Sequence, residues 1–127
     1  MNRTDEQGRR QGPWEDFYFD GALYSKGSYL DGERHGPWEY FHSDGAIWEK
    51  GSYLDGRMHG PWEHFWFNGK LLSKGSYLDG KRHGPWEYFW PNGKLKTRGS
   101  YQNGRKKGLW EEHPQEMGRQ ANIMKKI

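Results

Sequence analysis

The sequence predicts an all-β protein: a single elongated antiparallel meander of hairpin repeats, about nine strands, with room for a short C-terminal helix as a cap. Three observations carry this. A 24-residue unit recurs, with glycine at Gly12, Gly36, Gly60, Gly84 and Gly108, tryptophan at Trp14, Trp38, Trp62, Trp86 and Trp110, and glutamate directly after each tryptophan. Periods of about 20–50 residues mark repeat architectures. Two kinds of turn alternate along the unit, both built on Asp-Gly or Asn-Gly: Asp31-Gly32 and its copies, then Asp44-Gly45 and its copies. Such dipeptides between aromatic runs signal hairpins, because glycine accepts positive φ and Asp or Asn bonds the turn backbone. The runs between them are aromatic, and aromatic residues favour strands.

In order, residues 1–11 are a polar entry segment, mobile or weakly paired. Residues 12–112 hold the repeats, and 113–127 the cap or tail, all within one repeat domain spanning 1–127. The predicted strands are 13–19, 22–30, 36–42, 46–54, 60–66, 70–78, 84–90, 94–102 and 108–112. Strands joined by such short turns are antiparallel neighbours. After Gly108-Leu109-Trp110 the pattern fails: His113 replaces phenylalanine and no closing turn follows. Met117, Ala121, Ile123 and Met124 suit a short amphipathic helix over the open sheet end.

The register can be argued from side chains. If residue i of one strand faces residue 65 − i of the next, Trp38 lies opposite Gly27, Tyr29 opposite Gly36, and Glu39 opposite Lys26. Each ring then covers a glycine. Shifted by 24, the rule pairs Glu63 with Lys50, Glu87 with Lys74 and Glu111 with Arg98. A slip of one residue would destroy all of these together. Alternation then puts the tryptophans on one face and the Glu–Lys ladder on the other. No helix lies between strands, so a twisted, curled single sheet fits better than a sandwich.

Composition bounds the function. The chain has 127 residues and no cysteine, which excludes disulfides and thiolate metal sites. No apolar run is long enough to span a membrane and the N-terminus lacks a signal-peptide core, so a cytoplasmic location is the expectation. Valine is absent, but 8 Trp, 8 Tyr and 6 Phe supply the buried area that order requires. A net charge of +3 does not by itself demand nucleic acid, and none is expected as a partner.

The frame Tyr-Leu-Asp-Gly-x-x-His-Gly-Pro-Trp-Glu, at Tyr53–Glu63 and Tyr77–Glu87, resembles the MORN (membrane occupation and recognition nexus) repeats, in the bacterial variant of the antitoxin-like YwqK family. The resemblance covers residues 10–112. It implies a hairpin-repeat sheet and an antitoxin or immunity role, with a toxin as the protein partner. The eukaryotic form, whose unit is one residue shorter, implies the alternative of a peripheral lipid-binding or scaffold module.

Candidate sites follow from comparing repeats. His35, His59 and His83 sit two strands apart, about 9.6 Å, too far to share one metal ion. No metal site and no cofactor motif is legible. The ladder glutamates each face a cation, which makes them structural rather than catalytic, and a non-catalytic protein is the expectation. Position 40 and its equivalents run Asp16, Tyr40, His64, Tyr88, Glu112; position 42 runs Tyr18, His42, Trp66, Trp90, Pro114. Large aromatics where the frame dictates none are what an interface uses. Tyr40, His42, His64, Trp66, Tyr88 and Trp90 are therefore the partner-binding candidates, with core filling as the other reading. Arg34, Arg57, Lys81, Arg82, Arg105, Lys106 and Lys107 are expected to project from one long edge, and all but Arg57 form the alternative anion or lipid site. The oligomeric state is left open.

Overall fold

The structure, a computed structural model, describes residues 2–115. Strands β1 (Arg3–Thr4), β2 (Arg10–Phe17), β3 (Leu23–Leu30), β4 (Glu33–Phe41), β5 (Ile47–Leu54), β6 (Arg57–Met58), β7 (Gly60–Phe65), β8 (Leu71–Leu78), β9 (Lys81–Phe89), β10 (Leu95–Gln102) and β11 (Arg105–Glu112) form one antiparallel sheet. Neighbours in sequence are neighbours in space, with β6 pairing β5 beside β7. The meander of hairpin repeats is as the sequence predicts. The expected C-terminal helix falls mainly on residues 116–127, outside the described residues; 113–115 are irregular.

There are eleven strands rather than about nine, for two reasons. The entry segment supplies β1, which pairs Arg3 with Gln11 and Thr4 with Arg10. In addition, β6 and β7 are one strand of the frame interrupted at His59, whose amide still donates to the Ser52 carbonyl at 2.9 Å.

Strands expected to begin at the repeat glycine run straight through it. β4 starts at Glu33, β9 at Lys81 and β11 at Arg105. The reason is a bulge. Lys26 faces Glu39 and Ser25 faces Tyr40, as the register rule requires, but Ser28 faces His35 and Tyr29 faces Arg34. Two residues of β3 are thus matched by four of β4, and Gly36 sits in the bulge at φ +78°. Tyr29 therefore does not cover Gly36, and the space beside that glycine is open. The other half of the rule holds. A Cβ on Gly27 would lie 2.1 Å from the Trp38 ring, and Gly51 and Gly75 stand in the same relation to Trp62 and Trp86.

The first turns place Asp31 at φ +51° and Gly32 at +86°, which makes a two-residue hairpin whose twist matches the strands. In the second turns a side-chain oxygen of Asp20, Asp44, Asn68 or Asn92 accepts the amide two residues on, at 2.9–3.0 Å.

The core lies on the tryptophan face of this single sheet. Trp38, Trp62 and Trp86 are each 1% exposed although the described residues form no second layer over them. Their own neighbours do so. Tyr29 meets Trp38 edge-on from β3 at 5.2 Å, Tyr53 edge-on from β5 at 6.1 Å, and Tyr40 stacks on it at 6.1 Å. The Arg34 guanidinium lies 5.3 Å from the ring centre. Edge-to-face and cation–π contacts add to the area term.

Candidate functional site

The aromatic positions that vary between repeats prove to be engaged with the sheet itself. Tyr40 is buried, and its hydroxyl lies 2.9 Å from that of Tyr53; Tyr88 and Tyr101 repeat the pair at 3.0 Å. Burial pushes both the Tyr40 and the Tyr88 hydroxyl pKa upward, so both stay protonated donors. The Trp66 indole N–H donates to the Phe89 carbonyl at 3.1 Å, and Trp90 donates to His113 at 2.8 Å. Tyr18 does the same to Phe41 at 2.6 Å. This series ties each second turn to the next repeat. His42 breaks it, stacking instead on the exposed Phe67 at 4.1 Å. His42, His64, Trp66, Tyr88 and Trp90 are half-buried, so part of each ring still faces solvent.

His64 stands where the two flanking repeats have tyrosine, and the strand opposite has changed with it. Ser25 faces Tyr40 and Ser73 faces Tyr88, whereas Glu49 faces His64. Glu49 is only 8% exposed, on the aromatic face, with Tyr40 on its other side and its carboxylate 3.4 Å from the His64 ring. Burial raises the Glu49 carboxyl to a pKa of about 7. Burial, and then the charge of Arg82, lowers that of His64. The series Ser25, Glu49, Ser73, Thr97 carried this signal in the sequence, but Glu49 was not among the predicted site residues.

The basic residues do not form one edge. Arg34 lies over Trp38 and Tyr53, Arg82 over Trp86 and Tyr101, and Lys106 over Trp110. These three turn back over the aromatic face because they alternate with their neighbours along the strand. Lys81, Arg105, Lys106 and Lys107 do come together, with Gln102 and Asn103, around a shallow recess of about 480 Å³. Arg34 is remote from them, and Met58 occupies the equivalent place in its own repeat.

A broad open feature lies on the ladder face. A groove of about 900 Å³ runs across three repeats and reaches β11. Pro37, Pro61 and Pro85 line it together with Ser52, Ser76 and Ser100; the backbone at Trp38 and Gly51 and their copies lies between. Its charged lining is the ladder: Lys50–Glu63 at 3.7 Å, Lys74–Glu87 at 3.6 Å, and Arg98 bridging Glu87 at 3.9 Å and Glu111 at 3.3 Å. These side chains are about half exposed, so each pair is accessible to an incoming charge. The groove was not predicted. Parity alone puts proline, glutamate, lysine and serine on one face, but parity does not say that this face is hollowed into a channel.

Among the described residues no group of three His, Cys, Asp or Glu could hold a metal ion, and no helix is long and apolar enough to cross a membrane. No curated protein is significantly similar in sequence. Among solved structures, the crystal structure of accessory secretory protein 1, 2 and 3 in Streptococcus pneumoniae shares 16% identity over 80% of this chain, with a TM-score of 0.25; the chain spans 18% of that protein's length. The model of the MORN repeat variant matches residues 10–31, 34–55, 58–79 and 82–103, one match for each of the first four Trp-Glu units, while the fifth, at Trp110, lies beyond the last match. With most of its length matched in four consecutive units and folded as the hairpin sheet described above, the chain belongs to the MORN repeat variant family.

Proposed function

We propose that this protein is a non-catalytic interaction module that binds one protein partner along the ladder-face groove, in an antitoxin or immunity role. The observation that supports this reading is the groove itself. About 900 Å³ is at the upper end of ordinary binding clefts. Its lining alternates charge along the sheet at every repeat, over a rigid floor of proline, glycine and serine. The aromatic face, by contrast, has its rings engaged with one another. The six aromatic-face candidates then serve the interface by holding the repeats in line.

The test uses two variants and one capture. Ser76→Arg fills the groove with a side chain that touches no tryptophan ring. It should abolish capture of the partner while far-UV circular dichroism stays unchanged. Lys106→Glu with Lys107→Glu reverses charge at the basic recess and should leave capture intact. If the second variant abolishes binding and the first does not, the partner is an anionic surface and the groove reading fails. The antitoxin role adds a further demand: the captured partner, expressed alone, should arrest growth, and co-expression of this chain should restore it.

A further inference from the structure

The two ends of the sheet are finished differently. At the N-terminal end Asn2 caps β2: its amide donates to the Pro13 carbonyl, and its side chain donates to the Glu15 carbonyl and accepts the Glu15 amide, at 2.7–3.1 Å. At the other end, β11 pairs only with β10 among the described residues.

The repeat itself states what is missing there. Inner strands equivalent to β11 are completed on their outer side by three contacts, the second lacking its cation only where Met58 stands in the third repeat. First, Glu39 faces Lys50 and Gly36 faces Tyr53 across β4 and β5. Second, that outer tyrosine closes the tryptophan box and sandwiches the cation: Arg34 lies 5.3 Å from Trp38 and 5.5 Å from Tyr53, and Arg82 lies between Trp86 and Tyr101 in the same way. Third, the carbonyl of that cation's residue accepts an amide from the following turn glycine, as Arg34 does from Gly56 and Arg82 from Gly104, both at 3.0 Å.

β11 holds only the inner half of each contact. Glu111 is bound by Arg98 at 3.3 Å and by His113, two residues on, at 2.8 Å, and no described residue faces it from an outer strand. Lys106 lies 4.7 Å over Trp110, with no second ring beyond it among the described residues. No described amide meets the Lys106 carbonyl. Trp110 is half-buried where Trp38, Trp62 and Trp86 are 1% exposed, and Leu109 beside it is 99% exposed.

We propose that the β11 edge is a second binding site, which takes one extended strand of a protein partner by antiparallel strand addition. The strand carries the pattern cation-x-x-aromatic-x-Asp-Gly. The cation faces Glu111, the aromatic ring faces Gly108 and closes over Trp110 and Lys106, and the final glycine amide reaches the Lys106 carbonyl. The acidic residue before that glycine meets Arg105, as Asp31 meets Arg9 at 3.7 Å at the other end of the sheet. Charge thus fixes the direction, since β11 is basic at 105–107 and acidic at 111–112. Within this chain the pattern occurs at Lys26–Gly32, Lys50–Gly56 and Lys74–Gly80, all on strands paired on both sides. A second copy therefore has no free strand of this type to offer. In-frame continuation of the chain would place Asn122, Lys125 and Ile127 where the cation, ring and acid belong, so residues 116–127 lack the pattern as well. The inference rests on the reading of the chain as a protein-binding module, at a site separate from the groove.

The test is amide NMR on the full chain with a synthetic peptide of sequence Glu-Lys-Gly-Ser-Tyr-Leu-Asp-Gly, the sequence of residues 49–56. Saturable shifts should be confined to 105–112. Replacing the peptide tyrosine by alanine, or its lysine by glutamate, should weaken binding about tenfold, the loss expected when aromatic, cation–π and charge pairs go together. Absence of binding overturns the proposal, as do shifts centred on Ser52, Ser76 and Ser100; the latter would leave the groove reading standing. Hydrogen exchange in the free chain supplies the remaining arm. If the amides of Trp110 and Glu111 are as protected as those of Trp86 and Glu87, the edge is already occupied, by residues 116–127 or a second copy, and the proposal fails.

Discussion

The two faces of this sheet use the same strands and differ in what they are for. On one face, rings pack on rings until Trp38, Trp62 and Trp86 are sealed without a second layer. On the other, half-exposed ion pairs stand over an open groove. The contrast teaches that a single sheet can separate stability from recognition by parity alone. Odd and even residues of one strand answer to different demands, and the period of two keeps them apart.

The largest expected effect comes from opening the aromatic face. Trp62→Ala removes a ring boxed by Tyr53 and Tyr77, and truncating a buried tryptophan costs about 3–5 kcal/mol. Gly51→Ala attacks the same contact from beneath, because its Cβ would lie 2.1 Å from the Trp62 ring. Overpacking of this kind costs roughly 1–3 kcal/mol or more. Gly45→Ala is the control: its φ of +93° strains the new side chain, but no ring is displaced. Urea denaturation should rank the three in that order. Equal losses at Gly51 and Gly45 would show that the glycine under the ring is there for backbone freedom and not for the ring.

A middle-sized effect lies where the aromatic face departs from its own rule. Glu49 replaces serine, and burial lifts its carboxyl to a pKa of about 7 from the usual 4.5. A raised carboxyl means that the folded state holds the proton longer than the unfolded chain. Stability from this group is therefore full below about pH 4.5, falls as pH rises through about 7, and is level above it. His64, lowered by burial, works in the opposite sense, with its contribution full above the ordinary histidine value of 6.5 and lost as pH falls below it. Glu49→Ser with His64→Tyr restores the pairing of the flanking repeats and should flatten both slopes. At pH 8 the double variant should gain on the order of 2–3 kcal/mol. Denaturation midpoints at pH 5, 6, 7 and 8 decide it. A profile unchanged by the double substitution would show that neither group is linked to folding.

Much of the fold was legible because the repeat supplies its own alignment. Period, turns and faces follow from Trp38, Asp31-Gly32 and the Glu39–Lys26 pair read against their copies. What escaped was local geometry. Gly36 reads as a strand boundary, yet it is a bulge that lets β4 run on to Glu33 and turns Tyr29 onto Arg34. That bulge changes which side chains meet without changing the pattern of residue types, so sequence spacing does not reveal it. The site was less legible. Tyr40 and Trp66 stood out because they vary, but variation followed packing: Tyr40 answers Ser25, and Trp66 reaches a carbonyl in the next repeat. The groove is lined mostly by residues that do not vary, and comparison between repeats gives little contrast there.

The smallest effect on stability should come from the ladder. Lys74 lies 3.6 Å from Glu87, with side chains 51% and 31% exposed, so the pair is screened by water and salt. Exposed pairs contribute about 0.2–1 kcal/mol, and here Arg98 stands ready as a second partner for Glu87, at 3.9 Å. Lys74→Ala should therefore shift the unfolding free energy by less than about 0.5 kcal/mol, no more than a typical surface substitution. Partner binding should respond quite differently, because the same lysine lines the groove, and its removal leaves Glu87 facing the ligand with a changed charge balance. Denaturation and calorimetric titration on one preparation separate the two readouts. Weakened binding at unchanged stability is the expected result. A stability loss beyond about 1.5 kcal/mol would place the ladder in the scaffold, and the division of labour between the faces would then have to be abandoned.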